Sequence, residues 1–204
     1  MPFLLQLALL PIGAYLLGSV PFGLVLTACF AGTDVRRHGS GNIGATNVRR
    51  VAGNRIAVAT LTADVAKGMI PVLAAGALVD AAANAGAGYA GLVAMAALAG
   101  HLFPVYLGFR TGGKGVATAI GAFLPLAPAA MILALMVFVL LVCIVDRVSV
   151  GSLGAFVSLP LFVYLTGRPL PLALWTLAAA AAITWAHRAN LGRLWRGEEP
   201  RSGL

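Results

Sequence analysis

The sequence predicts an all-α integral membrane protein with seven transmembrane helices. Of its 204 residues, 60% are hydrophobic and only 10% are charged, whereas soluble domains carry about 25% charged residues. Apolar stretches of roughly 20 residues, the length of a membrane-spanning helix, recur along the whole chain. Since no polar linker is long enough to separate two domains, residues 1–204 are predicted to form a single domain.

The predicted spans follow the apolar runs. The first, at 3–30, has no basic segment or cleavage site typical of a signal peptide. The run 115–145 would extend for about 46 Å at about 1.5 Å per residue, too long for one straight crossing. The two prolines of LPLAP at 124–128 favour a break within it. The predicted spans are therefore 3–30, 55–79, 87–108, 115–124, 127–145, 148–166 and 170–189.

The distribution of basic residues predicts the orientation. With the C-terminus in the cytoplasm and the N-terminus outside, all but two of the 14 Lys and Arg residues lie in cytoplasmic segments, as the positive-inside rule requires. The exceptions are Arg168, outside, and Lys67, within a span. This topology explains the net charge of +8 without a nucleic-acid partner. It also places every glycine-rich polar segment on the cytoplasmic face, where we expect the functional site.

The first such segment is HGSGNIGATNVRR at 38–50. Its glycines allow unusual backbone angles and a close approach of amide groups to an anion. The segment also offers neutral hydrogen-bonding groups and positive charge, from Ser40, Asn42, Thr46, Asn47, Arg49 and Arg50. The alternative is an ordinary loop with helix caps and with arginines facing lipid headgroups.

The second segment is TGGKGVAT at 111–118. Backbone amides at a helix start bind anions, and Lys114 adds a point charge. The segment is not a Walker A motif, because Gly115 follows the lysine where a hydroxyl is required. The alternative is a flexible interfacial turn with a snorkelling lysine. The candidate phosphate-binding residues are Gly112, Gly113, Lys114 and Gly115.

The third segment is HRANLGRL at 187–194. The spacing of His187, Asn190 and Arg193 puts them on one face of a helix. A plain interfacial histidine is the alternative.

Other polar residues fall within the predicted spans. Asp64 and Lys67 are three residues apart, and since burying either alone is costly, they should pair or face a polar cavity. Ser152, near the start of the sixth span, either binds substrate or bonds back to its own helix. His101 either supports the glycine loop or is a satisfied core histidine.

The motifs SGNIGATN, GGKGVAT and HRANLGRL, in this order, resemble the bacterial acyl-phosphate:glycerol-3-phosphate acyltransferase family, the PlsY family; GSVPFG and DVAKG fit it too. The resemblance covers nearly the whole chain. It implies a seven-span enzyme of the bacterial cytoplasmic membrane with its site at the cytoplasmic face. It implies transfer of a fatty acyl group from acyl phosphate to the 1-hydroxyl of glycerol 3-phosphate, giving lysophosphatidic acid and phosphate. No metal, cofactor or obligate protein partner is expected.

The resemblance also implies roles for individual residues. Ser40 and Arg50 match the first motif, His187 and Asn190 the third, and a glutamate after the third motif corresponds to Glu198 or Glu199. The predicted catalytic residues are Ser40, His187 and Asn190. The predicted substrate-binding residues are Asn42, Thr46, Arg49, Arg50, Lys67, Gly112, Gly113, Lys114, Gly115, Ser152 and Arg193.

The chemistry needs mainly positioning and electrostatic stabilisation, because acyl phosphate is already an activated mixed anhydride. The hydroxyl proton could pass to His187 or to the phosphate of acyl phosphate, and a covalent acyl-Ser40 intermediate is a third possibility. The rival function is a transporter or channel for a phosphorylated anion. That function favours inverted repeats and charges near the membrane midplane, where only Asp64 and Lys67 come close.

Overall fold

The computed structural model describes residues 3–110 and 112–202, and these residues form α-helices and two short 3₁₀ turns, without β-strands. The helices are α1 (Phe3–Gly18), α2 (Phe22–Ala31), α3 (Ala45–Gly76), α4 (Asn84–Leu102), α5 (Val116–Phe123), α6 (Pro128–Val145), α7 (Val148–Leu165), α8 (Leu170–Ala186) and α9 (Arg188–Trp195). The predicted all-α class is therefore confirmed.

The described helices include four that are long and apolar enough to cross a membrane: α3, α4 with the turn that follows it, α6 and α7. Two further pairs qualify only as bent spans, α1 with α2 at 40° and α8 with α9 at 59°, which raises the count to six. The remaining predicted span, 115–124, is the 8-residue helix α5. The number of seven crossings therefore stays a prediction.

The positions of the helix breaks follow from the sequence. The predicted break at LPLAP is confirmed, because α5 ends at Phe123 and α6 begins at Pro128, a first-turn position that tolerates the missing N–H of proline. Helix α3 begins ten residues before the predicted span at 55 and carries a kink at Gly53, whose φ is 82°. Residues 46–50 of the first motif are thus helical.

The chain divides into two compact units. Unit 1 comprises the described residues of Met1–Leu78 and Leu92–Ala122, and unit 2 those of Val79–Gly91 and Phe123–Leu204. The single-domain organisation stays a prediction.

In unit 1, glycines bring helix backbones into direct contact. A side chain at Gly68 of α3 would collide with the Thr118 carbonyl of α5, and one at Gly121 of α5 would collide with the Val65 carbonyl of α3. Such close approach is typical of helices that pack in membranes, where small residues replace the hydrophobic driving force. The two helices are thereby held in a fixed register.

In unit 2, α6, α7 and α8 pack in sequence. The Trp175 indole of α8 donates a hydrogen bond to the Gly88 carbonyl at 2.8 Å. The guanidinium of Arg168 donates to the carbonyl of Leu126, so this cation stabilises the connection before α6. Near the C-terminus, Ser202 donates to the Asp146 carboxylate through its hydroxyl and to the Asp146 carbonyl through its backbone N–H. These contacts hold the tail against the α6–α7 turn.

Candidate functional site

The first glycine-rich loop, residues 38–44, is organised by Asn47 in the first turn of α3. The Asn47 side chain is buried, and its Nδ2 donates to three loop carbonyls, those of Val35 at 3.2 Å, His38 at 3.1 Å and Asn42 at 2.9 Å. Its Oδ1 accepts the backbone N–H of Ser40 at 2.9 Å. A single amide thus bonds four backbone groups and ties the loop and the turn before it to the start of α3. Sequence reasoning placed Asn47 among hydrogen-bonding groups but did not assign it this role.

The loop presents polar groups beside a cavity. The side chains of Ser40, Thr46 and Arg50 are exposed, and Arg49 is partly exposed. A cavity of about 410 Å³ is lined by Ala31, Thr33, His38, Gly39, Arg50 and Val51. Asn42 uses its Oδ1 to accept the backbone N–H of Gly44 at 2.9 Å. Of the residues predicted from this segment, Arg50 lines the cavity, and the substrate-binding role of the segment stays a prediction.

The carboxylate nearest this loop in sequence, Asp34, is neutralised by an arginine. Hydrogen bonds from the Arg36 guanidinium, with the Arg36 backbone N–H adding to them, lower the pKa of Asp34 to about 2. A carboxylate with so low a pKa is a poor proton acceptor near neutral pH. Asp34 is therefore not a candidate general base.

The second glycine-rich loop, residues 112–115, packs on the end of α4; Thr111 lies outside the described residues. The Gly113 N–H donates to the His101 carbonyl at 3.2 Å, and a side chain at Gly113 would collide with the His101 imidazole. Gly115 has a φ of 82°, which favours glycine. Helix α5 begins directly afterwards at Val116, as the anion-binding reading of the motif requires. Lys114, between these glycines, is partly exposed.

A buried ion pair lies within α3. Lys67 Nζ is 2.9 Å from Asp64 Oδ1, and both side chains are almost fully buried. The ammonium also donates to the Val20 carbonyl at 2.8 Å. The pairing of these residues is what the spacing led us to expect. The substrate-binding role predicted for Lys67 does not fit this geometry, because its charge is balanced inside the protein.

His187 lies at the junction of α8 and α9. Its ring is 2% exposed, and Nδ1 is 2.8 Å from the Ile183 carbonyl. Because a carbonyl only accepts hydrogen bonds, Nδ1 carries a proton, and a neutral ring then has its lone pair on Nε2. Sequence reasoning found no partner that orients His187, since a backbone carbonyl leaves no residue-type signal.

The carboxylate of Glu199 gathers three donors in unit 2. Its Oε1 accepts from Asn190 Nδ2 at 2.6 Å and from the Ser149 hydroxyl at 2.7 Å, and its Oε2 accepts from Arg193 Nε at 2.8 Å. Burial raises the pKa of Glu199, but the hydrogen bonds from these three side chains outweigh it, and the pKa lies below its ordinary value. Asn190 and Arg193 therefore share a face, as predicted.

The cluster also resolves which glutamate follows the third motif. Glu198 is exposed and pairs with Arg196 at 2.7 Å, whereas Glu199 is buried against Asn190. The Oδ1 atom of Asn190 is buried and has no hydrogen-bond partner among the described residues. It is therefore an acceptor of the kind that a substrate hydroxyl satisfies.

The contacts of Ser152 do not indicate a substrate-binding role. Its hydroxyl donates to the Val148 carbonyl of its own helix at 2.9 Å, and the side chain is buried. This is the back-bonded alternative. Among residues 3–110 and 112–202, no group of three or more His, Cys, Asp or Glu side chains is placed to hold a metal ion.

Comparisons with known proteins extend along nearly the whole chain. A family model described as glycerol-3-phosphate acyltransferase matches residues 8–197. The glycerol-3-phosphate acyltransferase of Syntrophotalea carbinolica is 46% identical over 190 residues, which cover 93% of this chain and 94% of the relative. That of Trichlorobacter lovleyi is 45% identical over 189 residues, with shares of 93% and 94%.

Solved structures give the same result. A crystal structure of PlsY, an integral membrane glycerol 3-phosphate acyltransferase, in its glycerol 3-phosphate form is 36% identical, with a TM-score of 0.89 and coverage of 96% of this chain and 95% of that one. The lysophosphatidic acid form of PlsY is 34% identical, with a TM-score of 0.87 and the same coverage.

Proposed function

The chain belongs to the glycerol-3-phosphate acyltransferase family, and we propose that its acyl donor is an acyl phosphate. As a member of this family it is an integral membrane acyltransferase of phospholipid synthesis. The acyl group passes to the 1-hydroxyl of glycerol 3-phosphate, and the products are lysophosphatidic acid and inorganic phosphate. No cofactor or obligate protein partner is needed for this reaction.

One observation supports the choice of donor: unit 1 contains two separate segments whose chemistry suits an anion. The first is the cavity beside Arg50, and the second is the loop 112–115 with Lys114. Acyl phosphate and glycerol 3-phosphate each carry a phosphate, so the pair of substrates needs two such segments. Arginine holds a phosphate bidentately, and lysine with helix-start amides holds one as a point charge with dipoles.

We assign the hydroxyl of glycerol 3-phosphate to His187 and Asn190. The protonated Nδ1 of His187 is held by the Ile183 carbonyl, so the lone pair of Nε2 is directed by a fixed ring. The buried Oδ1 of Asn190 accepts from a substrate hydroxyl. The test below decides whether the proton passes to His187 or to the leaving phosphate.

The bond changes are simple. The 1-hydroxyl oxygen attacks the acyl carbonyl, and the bond from carbonyl carbon to phosphate oxygen breaks. The hydroxyl proton passes to His187 Nε2 and then to phosphate, or to the phosphate directly. Backbone amides of the loop 112–115, other than the Gly113 N–H that donates to the His101 carbonyl, and the Asn42 side chain stabilise the negative charge that develops. Ser40 positions substrate, because no imidazole or carboxylate among the described residues bonds its hydroxyl to activate it.

Phosphate release by the purified protein in detergent tests the function. Release from palmitoyl phosphate should require glycerol 3-phosphate and should fall by about 100-fold or more in Lys114→Ala and Arg50→Ala, since each removes a phosphate-binding cation. Arg55→Ala, which removes an exposed arginine of the same helix as Arg50, is the matched control and should change little.

The outcome also separates the two function classes. Detergent leaves no two compartments, so a transporter would give no turnover. Absence of release from folded protein would overturn the enzymatic proposal and call for a flux assay in liposomes. Release that depends on glycerol 3-phosphate but is unchanged in His187→Gln would assign the proton to the substrate phosphate.

The membrane arrangement is part of the proposal. We propose seven crossings of the bacterial cytoplasmic membrane in a single domain, with the N-terminus outside and both glycine-rich loops at the cytoplasmic face. The distribution of basic residues supports this orientation. In a variant without Cys29 and Cys143, Gly167→Cys should react with an impermeant maleimide in spheroplasts, and Gly197→Cys only after permeabilisation. The reverse labelling pattern would show that the orientation in the membrane is opposite to the one proposed.

A further inference from the structure

We propose that His101 is a positioning residue that holds the phosphate-binding loop 112–115 in place, with Thr118 fixing its ring. This inference rests on the proposed function, because it concerns the loop to which we assign a substrate phosphate. It connects the buried charges of α3, which the reaction does not use, to a loop that it does use.

The loop rests directly on His101. The Gly113 N–H donates to the His101 carbonyl at 3.2 Å, and the imidazole occupies the space where a side chain of Gly113 would lie. A side chain at Gly112 would collide with the carbonyls of Leu102 and His101. The backbone on the N-terminal side of Lys114 therefore has one position as long as the end of α4 and the imidazole keep theirs.

The other end of the loop is tied to the same ring. Thr118 lies in the first turn of α5, three residues after Gly115, and its Oγ1 is 3.1 Å from His101 Nδ1. Both side chains are buried, at 0% exposure for Thr118 and 3% for His101. One imidazole thus touches the segments on both sides of Lys114, and its orientation determines where the loop amides point.

The ion pair of α3 lies beside this ring. Asp64 Oδ1 lies 3.7 Å from His101 Nδ1 and 2.9 Å from Lys67 Nζ. Lys67 is held by the Val20 carbonyl, and the backbone contact of Gly68 with Thr118 fixes α3 against α5. The support beneath the loop is therefore continuous from the turn between α1 and α2 through α3 and α4 to α5, and all of it lies in unit 1.

If this support is loosened, the protein should bind the substrate phosphate less tightly. No residue of the support is assigned to the reacting groups, so kcat should change less than KM. Thr118→Val keeps the shape of the side chain but removes the hydroxyl that orients His101. At least one of the KM values for glycerol 3-phosphate and palmitoyl phosphate should rise by about fivefold or more, with kcat within about threefold of wild type.

Two further variants separate positioning from a general loss of packing. Thr118→Ser keeps a hydroxyl, and its KM values should rise by less than the threshold of about fivefold. Thr60→Val removes an equally buried hydroxyl that bonds only its own helix, at 2.8 Å to the Ile56 carbonyl, and should also stay below it. If both KM values of Thr118→Val stay below that threshold, or Thr60→Val shows the same rise, the proposal is overturned.

A binding measurement makes the test independent of turnover. The concentration of glycerol 3-phosphate or inorganic phosphate that half-saturates thermal stabilisation should rise by about fivefold or more in Thr118→Val. If Thr118→Val does not fold, His101→Asn, which keeps a polar atom near Nδ1 but none beside Gly113, is judged by the same threshold. Wild-type protein that binds phosphate in this assay but releases none from palmitoyl phosphate would refute the proposed function and leave the loop support intact.

Discussion

Each compact unit buries one carboxylate, and the two differ in how their charge is balanced. Asp64 of unit 1 lies within a candidate membrane span and pairs with the ammonium of Lys67, beside the His101 ring. Glu199 of unit 2 lies in the tail after α9 and accepts from Arg193 and from two neutral donors, Ser149 and Asn190.

The difference indicates which cluster stabilises the fold and which one positions side chains of the candidate site. In an apolar span, water cannot hydrate a carboxylate that has lost its cation, so removal of the cation alone strongly destabilises the fold. Arg193 is 31% exposed, and the Glu199 cluster therefore lies near solvent, which can replace a lost charge partner in part. Loss of Glu199 should harm the placement of Asn190 more than the stability of the chain.

Breaking the Asp64 pair should give the largest effect on stability. Lys67→Met leaves a buried carboxylate without its cation, which costs about 3–5 kcal/mol. Thermal unfolding in detergent, followed by size-exclusion chromatography, should show a large loss of folded protein. Asp64→Asn combined with Lys67→Met should recover much of it, because no buried charge remains. A double variant as unstable as the sum of the two single variants would show no coupling between the two charges and would contradict this expectation.

Glu199→Gln should have the largest effect on activity in unit 2. The substitution keeps the shape but removes the charge and replaces one acceptor oxygen with a donor, so Asn190, Ser149 and Arg193 can no longer all donate to the same side chain. We expect kcat/KM to fall by about 100-fold, with a smaller change in unfolding temperature than for Lys67→Met. Glu198→Gln, which alters an exposed pair, is the matched control. Equal effects of the two substitutions would contradict the role of the Glu199 cluster.

The pH dependence of stability should show whether Glu199 is ionised in the folded protein. The pKa of Glu199 is lowered in the folded protein, so its contribution is fully present above its unfolded value of about 4.5 and is lost as the pH falls through the folded value. The difference in unfolding temperature between wild type and Glu199→Gln should therefore shrink below about pH 4.5. Asp34 and Asp146 also have lowered pKa values, but both proteins contain them, and the difference cancels their effect. A difference that is constant with pH would exclude an ionised Glu199.

The smallest effects should come from the two serines of α7. Ser149→Ala removes one of three donors to Glu199 and should cost about 1 kcal/mol. Ser152→Ala removes only a bond to its own helix and should cost less, with KM values within about threefold of wild type. A rise of about tenfold in either KM for Ser152→Ala would restore the substrate-binding role that the family resemblance implies.

Sequence reasoning succeeded where the signal is local. Apolar runs gave the helices, two prolines gave the break before α6, and spacing of three residues gave the Asp64–Lys67 pair and the shared face of Asn190 and Arg193. It failed for contacts between distant segments. The substrate-binding role of Lys67 was inferred from its charge alone, but its Nζ bonds to Val20, 47 positions away.

The sequence by itself determined the membrane class, the helix break at LPLAP and the family, because hydrophobicity, proline chemistry and the order of motifs are properties of consecutive residues. Only the tertiary structure decided that Glu199, not Glu198, joins Asn190, that Ile183 orients His187, and that His101 lies beneath the phosphate loop. These three contacts depend on backbone carbonyls or on partners brought together by packing. The identities of single residues carry no signal of such partners.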